Sequence, residues 1–206
     1  MRVPKRREEW LHGRLTAKRL VQHCRREAQG LHLRDIVIAA KPGGAPCLLI
    51  QSRHHPASIS ISHREHLAVS AYCPSPHVSL GIDLEHIEPR SPGFIQDFFT
   101  SSEAKKIQSV SASQQEVLAN LIWSAKESVL KALGIGLRMD TRQVEVIHLD
   151  TTDSKNSRDG AWHLMEVHCP SLPGCRVWWQ KIEDFVLTMA VQTHEAATCE
   201  LIPVRI

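Results

Sequence analysis

In the segment SLGIDLEHI, Ser79–Ile87, two acids, Asp83 and Glu85, stand two positions apart among Leu80, Gly81, Ile82, Leu84 and Ile87. Side chains alternate along an extended chain, so Asp83 and Glu85 share one face while Ile82 and Leu84 share the other. Two readings are open: a half-exposed strand with an acidic polar face, or half of a site for a hard cation. The second rests on the chemistry of Mg²⁺, which takes oxygen ligands and is commonly held by one or two carboxylates plus substrate phosphates. A third acid brought to the same face would favour it.

A second stretch, WSAKESVLKALGIGL, has Trp123, Glu127 and Lys131 at i, i+4 and i+8, on one side of a helix. Taken alone, Glu127 ahead of Lys131 is an ordinary helix-stabilising pair, worth about 0.2–0.5 kcal/mol, and Lys126 reads as solvated. Basic residues concentrate near the N-terminus, where Arg2, Lys5, Arg6, Arg7, Arg14, Lys18, Arg19, Arg25 and Arg26 face only Glu8 and Glu9. Such a face attracts phosphate or an acidic partner, or is simply a solvated helix surface. His163, His168, Cys169 and Cys175 match no common zinc spacing, and His54-His55 reads as a surface loop.

The elements that must position these residues follow from periodicity. Trp10, Leu11, Leu15, Leu20, Val21 and Cys24 predict an amphipathic helix over Arg7–Glu27 with its basic residues outside. Strands are expected at Asp35–Ala40, Cys47–Gln51, Ser58–Ser62, His66–Tyr72 and Val78–Glu85, as a small antiparallel sheet. The two prolines and glycine of Ile87–Gly93 predict a linker, dividing the chain into halves 1–88 and 94–206. Thr100–Glu103, TSSE, predicts a capping box that gives Glu103 a structural role. Val117, Leu118, Leu121, Ile122, Ala125, Val129 and Leu133 predict the buried stripe of a helix over Gln114–Leu133 that stops at Gly134. Further strands are expected at Val144–Leu149, Ala161–His168, Arg176–Glu183 and Phe185–Thr193, the last two as a hairpin. Helix followed by strands thus occurs twice, which predicts an α+β fold of two similar halves.

The chain has 206 residues, 42% hydrophobic and 23% charged, a composition that excludes a disordered chain and carries no apolar run of membrane-spanning length. The N-terminus lacks the apolar stretch of a secretory signal, so a cytoplasmic location is expected. Its six scattered cysteines, with no CxxC pair, read as free thiols in a reducing compartment.

GIDLE and the following WSAKESVLKALGIGL together resemble the 4'-phosphopantetheinyl transferases of the surfactin-synthetase-activating type. That family's signature is Gly-Ile/Val-Asp-x-Glu and then Trp-x-x-Lys-Glu-Ser/Ala-x-x-Lys-x-x-Gly, and every fixed position is filled here. EWLHGRLTAKRLV resembles the family's Gly-Arg helix, ISISHREHLAVSAY its Ser-His segment and DFFTSSE its Phe-Phe-Ser/Thr-x-x-Glu element. The resemblance implies a pseudo-dimer of two α+β halves with the site between them, and one chain as the working unit.

It further implies that Asp83, Glu85 and Glu127 hold Mg²⁺ together with the pyrophosphate of coenzyme A. A serine of an apo acyl or peptidyl carrier protein would attack the β-phosphorus, taking 4'-phosphopantetheine and releasing 3',5'-ADP. Glu127 would act as base, and Lys131 would stabilise or protonate the departing phosphate oxygen. Arg14 matches the residue that contacts the 3'-phosphate and His63 a phosphate-binding histidine. Ser62, Lys126 and Lys131 are expected beside the same co-substrate, and Trp123 in packing. Two positions depart from the pattern. Gly44-Ala45-Pro46 stands where many relatives have Gly-Lys/Arg-Pro, leaving Lys41 as the local cation, and Arg64 follows His63 where a small residue is common. The contrasting reading is a non-catalytic protein that binds coenzyme A, or whose basic helix docks nucleic acid or an acidic partner. The transferase reading expects neither nucleic acid nor membrane as a partner.

Overall fold

Among the described residues, ten strands and four α-helices form where alternation and 3.6-residue periodicity are clearest. The computed structural model describes residues 4–149 and 161–193, so Arg2 and Cys199 lie outside the described residues. Helix α1 spans Pro4–Cys24, and strands β1 Ile36–Ala40, β2 Pro46–Ile50, β3 Arg53–His55, β4 Ser58–Arg64, β5 Leu67–Cys73 and β6 Val78–His86 follow. Next come α2 Pro92–Phe98, α3 Ser101–Gln108 and α4 Ala112–Leu133, then β7 Glu145–Leu149, β8 His163–His168, β9 Arg176–Ile182 and β10 Phe185–Thr193. The α+β class follows directly. Among the described residues no helix is long and apolar enough to cross a membrane.

The strands make three antiparallel groups instead of one sheet per half: β1-β2-β3, β4-β5, and a five-stranded sheet ordered β6-β10-β9-β8-β7. Strand β6 pairs with β10 from Val78↔Thr193 to His86↔Phe185, placing Asp83 opposite Thr188. The acid-bearing strand is therefore an edge of the sheet built by the C-terminal strands. Its other edge is held by side chains. The hydroxyls of Ser60 and Ser62 on β4 accept from the backbone N–H groups of Ile82 (2.9 Å) and Leu84 (3.2 Å), while Ser58 donates to the Val78 carbonyl. Alternation in Ser58-Ile59-Ser60-Ile61-Ser62 puts all three serines on one face, so side-chain oxygens replace a backbone ladder.

Two buried faces differ from expectation. On α1, Val21 is buried as expected, but Trp10, Leu11 and Leu15 are 38%, 47% and 38% exposed, and Ala17 joins Val21 in the core. Gly13 accounts for the shifted face: a Cβ there would stand 2.8 Å from Ile61 Cγ2, so small residues let α1 lie close on β4. Helix α4 carries no single stripe. It is buried almost all round from Ala119 to Leu130, with its polar residues there satisfied internally: Asn120 by the Glu88 and Glu116 carbonyls, Ser124 by Thr188 (2.8 Å), Ser128 by the Ala125 carbonyl. A helix sandwiched between a sheet and the α2–α3 segment has little solvent face to keep polar.

Smaller differences have local causes. His54 and His55 belong to β3, not to a loop. The β2–β3 turn places Gln51 and Ser52 at φ 48° and 63°, a double positive φ usually signalled by Asn-Gly. The expected linker runs directly into α2, where the Ser91 hydroxyl caps Phe94 N–H and Pro92 occupies the first turn. The capping box at Thr100 and Glu103 forms as expected, and α4 ends at Gly134 with φ 71°.

Candidate active site

Gly81 is what allows β6 and α4 to meet. A Cβ there would fall 1.8 Å from the Ser128 carbonyl oxygen and 2.6 Å from Ala132 N, so only a hydrogen at this position admits the α4 backbone. The face of β6 that carries Asp83 and Glu85 thereby lies under the helix side that carries Trp123, Glu127 and Lys131. Ser124, bonded to Thr188 opposite Asp83, pins the same crossing.

Asp83 is only 4% exposed. Its Oδ1 accepts from Lys131 Nζ at 2.7 Å and from Ser62 Oγ at 3.0 Å, and Lys131 also donates to Ser62 Oγ (3.0 Å) and the Ile82 carbonyl (3.1 Å). Asp83 Oδ2 is buried without a hydrogen-bond partner. Glu85 accepts from Trp123 Nε1 at 3.1 Å through Oε1 and from Arg90 Nη2 at 2.9 Å through Oε2. Burial first, and then the charge of Asp83, push its carboxyl above the ordinary range, against the pull of Arg90 and Arg64. Glu127 makes no side-chain hydrogen bond or ion pair among the described residues. Burial and then the Asp83 charge, with a smaller push from Glu85 and a pull down from Lys131, raise its carboxyl from 4.5 to about 7. A carboxyl poised there exchanges protons readily near neutral pH.

The chemistry of this set fits a hard divalent cation. All donors are carboxylate oxygens, one of them buried and without a hydrogen-bond partner, and among the described residues Lys131 is the one cation paired with Asp83. Among the described residues, no three His, Cys, Asp or Glu side chains are grouped so that they could by themselves hold a metal ion. A cation here would thus depend on water or phosphate oxygens beside these carboxylates.

The other expected residues divide. Gly13 brings the middle of α1 against the end of β4, and a Cβ on it would stand 3.6 Å from His63 Cδ2, so Arg14 and His63 belong to one crossing. Arg14 lies over the Trp10 ring at 3.9 Å without an acidic partner among the described residues, and His63 is exposed. Lys41 is exposed in the β1–β2 turn, which rests near the end of α4: a Cβ on Gly43 would be 3.7 Å from Arg138 Nη2. Two expectations need correction. Lys126 is neither solvated nor beside a co-substrate: it has no exposed surface, pairs with the equally buried Glu103 at 2.8 Å, and donates to the Thr141 and Val144 carbonyls. Adjacent residues on a helix project about 100° apart, so Lys126 points into the core while Glu127 faces the acids. The Ser62 hydroxyl is not free for a phosphate, since Asp83, Lys131 and Leu84 N–H use it.

The sequence reading missed Arg90, Asn120 and Ser60. Arg90 bonds Glu85 and, through Nε, Asn120 Oδ1 at 2.7 Å. Nothing in EPRSPG marked that arginine. The serine alternation in β4 was a visible signal, but it also fits any half-exposed strand.

Comparison with known proteins supplies the family. The model described as 4'-phosphopantetheinyl transferase superfamily matches residues 79–190, which include β6 and α4. A 4'-phosphopantetheinyl transferase ffp of Bacillus subtilis is 30% identical over 165 residues, covering 79% of this chain and 67% of that protein. A 4'-phosphopantetheinyl transferase psf-1 of Bacillus pumilus is 28% identical, covering 57% and 48%, and HetI of a Nostoc strain is 29% identical, covering 52% and 45%. The chain thus spans between about half and two thirds of the length of these relatives. Among solved structures, a holo-(acyl-carrier-protein) synthase from Bacillus anthracis in complex with CoA (3',5'-ADP) aligns at a TM-score of 0.45 and 18% identity, over 55% of this chain and 93% of that one. That of Thermotoga maritima aligns at 0.42 and 18%, over 55% and 61%. With the family match lying on the strand and helix that assemble the three acids and Lys131, the chain belongs to the 4'-phosphopantetheinyl transferase superfamily.

Proposed function

We propose that this protein transfers 4'-phosphopantetheine from coenzyme A to a serine hydroxyl of an apo acyl or peptidyl carrier protein, releasing 3',5'-ADP, in a Mg²⁺-dependent reaction. The observation that carries the proposal is the crossing of β6 and α4, which lays Glu127 and Lys131 over the face of Asp83 and Glu85 and leaves Asp83 Oδ2 buried with no hydrogen-bond partner among the described residues. Asp83, Glu85 and Glu127, completed by water or phosphate oxygens, would hold the cation, which when bound neutralises phosphate charge and orients the displacement. The protein's own groups supply the rest. Glu127, whose carboxylate makes no side-chain hydrogen bond or ion pair among the described residues, takes the proton of the incoming serine hydroxyl. Lys131, held by Asp83 and the Ile82 carbonyl, stands ready to meet charge on the leaving phosphate oxygen. Ser62 fixes Asp83 and Lys131 relative to each other. Arg14 and His63 at the α1–β4 crossing, with Lys41 in the β1–β2 turn, are the proposed contacts for the remaining phosphates.

The same reading treats the chain as two related α+β halves, one chain sufficing for activity in a reducing, cytoplasmic setting. The test is intact-protein mass spectrometry of apo carrier proteins after incubation with this protein, coenzyme A and Mg²⁺, with and without chelator. A chelator-sensitive gain of one phosphopantetheine group is the expected result. Unchanged carriers across fatty-acid, polyketide and nonribosomal-peptide types would overturn it, and strong salt-dependent nucleic-acid binding in the same preparation would favour the non-catalytic reading.

A further inference from the structure

Glu85 is the most heavily engaged of the three acids, and the group engaging it has no part in the function proposed above. Arg90 follows β6 by four residues, in the extended segment before α2, and its side chain is only 14% exposed. Nη2 donates to Glu85 Oε2 at 2.9 Å, Nε donates to Asn120 Oδ1 at 2.7 Å, Nη1 lies 3.4 Å from Glu88 Oε1, and the guanidinium carbon lies 4.9 Å from the Phe94 ring centre. Asn120 is itself fixed, donating to the Glu88 and Glu116 carbonyls at 2.6 and 2.8 Å. The other Glu85 oxygen accepts from Trp123, whose ring packs edge-on against Phe94 at 4.9 Å. Arg64 completes the surround, bonded to Glu88 at 2.6 Å but 3.9 Å from Glu85.

We infer that Arg90 is a positioning residue that, with Trp123, clamps the Glu85 carboxylate in the orientation from which it binds the divalent cation. The inference rests on the metal reading proposed above. A carboxylate offers about four lone-pair sites. Trp123 and Arg90 use one on each oxygen, so the clamp leaves capacity on both for a cation. A glutamate free to rotate would have to surrender its rotamer freedom when the cation arrives, whereas the clamped one has already done so. The opposing effect is repulsion between Arg90 and the cation. Glu88, paired with both Arg64 and Arg90, offsets part of it, and the gain in orientation has to exceed the remainder. The guanidinium geometry matters as much as its charge: one planar fork spans Glu85, Asn120 and Glu88, which a single ammonium cannot do.

The test is Mn²⁺ binding, followed by the electron paramagnetic resonance of free Mn²⁺ in the presence of saturating coenzyme A and without a carrier protein. Outer-shell partners of metal ligands typically contribute about 10–100-fold to affinity. Arg90→Ala and Arg90→Lys should both weaken Mn²⁺ binding about 10-fold or more, whereas Arg64→Ala, whose contact with Glu85 is long, should change it less than about 3-fold. Thermal unfolding identifies any variant that fails to fold, and Arg90→Lys decides the matter if Arg90→Ala does. Mn²⁺ binding by Arg90→Ala as tight as that of the unaltered protein, or full recovery in Arg90→Lys, would reduce Arg90 to a counter-ion and overturn the inference. Absence of Mn²⁺ binding in the unaltered protein, or unchanged binding in Asp83→Ala, is a different outcome: it defeats the metal reading itself, and the clamp with it.

Discussion

Replacing Glu127 by Gln removes a carboxyl that the fold keeps protonated to unusually high pH, and its effect on stability can be worked out. Without metal, the folded protein holds this proton up to about 7, whereas the unfolded chain releases it near 4.5. Below 4.5 both states carry the proton and no linkage penalty exists. As pH rises from 4.5 to 7 the unfolded chain ionises first, so stability falls, and above 7 the full penalty is present. At about 1.36 kcal/mol per pKa unit the shift corresponds to roughly 3 kcal/mol at most, and partial exposure of Glu127 reduces this to about 1–2 kcal/mol. Glu127→Gln, which keeps the shape without the charge, should therefore be about 1–2 kcal/mol more stable than the unaltered protein at pH 8 in chelator, a rise in Tm of roughly 2–8 °C. The advantage should shrink toward zero near pH 4.5. Mg²⁺ at pH 8 should raise the Tm of the unaltered protein and narrow the gap, because the cation stabilises the ionised form. Scanning calorimetry from pH 4.5 to 8, with and without Mg²⁺, reads all of this. A stability difference that is constant across that range would refute the claim that Glu127 is destabilised by burial beside Asp83.

Four further outcomes follow from the same geometry. Gly81→Ala should destabilise the protein by about 3 kcal/mol or more in denaturant titration, since its Cβ would meet the α4 backbone at 1.8 Å, beyond what side-chain repacking relieves. Lys126→Met should cost about 3–5 kcal/mol by stranding the buried Glu103, and adding Glu103→Leu should recover only part of that loss, since it also removes the acceptor of the Thr100 and Val146 N–H groups, with the double-mutant cycle as the check. Asp83→Ala should abolish Mg²⁺-dependent transfer while circular dichroism shows an intact fold, and retained activity would remove Asp83 from the metal set. Arg14→Ala should weaken coenzyme A more than its 3'-dephospho form, and an unchanged preference would move the 3'-phosphate contact elsewhere.

The local sequence was enough to settle several features. Alternation set Asp83 and Glu85 on one face, and the i, i+4, i+8 spacing set Trp123, Glu127 and Lys131 on another, because both depend only on backbone repeat. The Thr100–Glu103 capping box and the stop at Gly134 were equally local. What the chain alone could not show was which surfaces meet. The shifted buried face of α1, the all-round burial of α4 and the exit of β6 into the C-terminal sheet depend on partners distant in sequence. Lys126 is the clearest case. By spacing it is one more charged helix residue, and only the arrival of Glu103 and the Thr141–Val144 segment makes its place an interior one. Arg90 is the converse, an unremarked residue in a proline-rich stretch that tertiary packing brings to Glu85. Local repeat determines the direction in which a side chain leaves the backbone, but its partner, and hence its charge state and role, is decided by which other segment the fold lays against it.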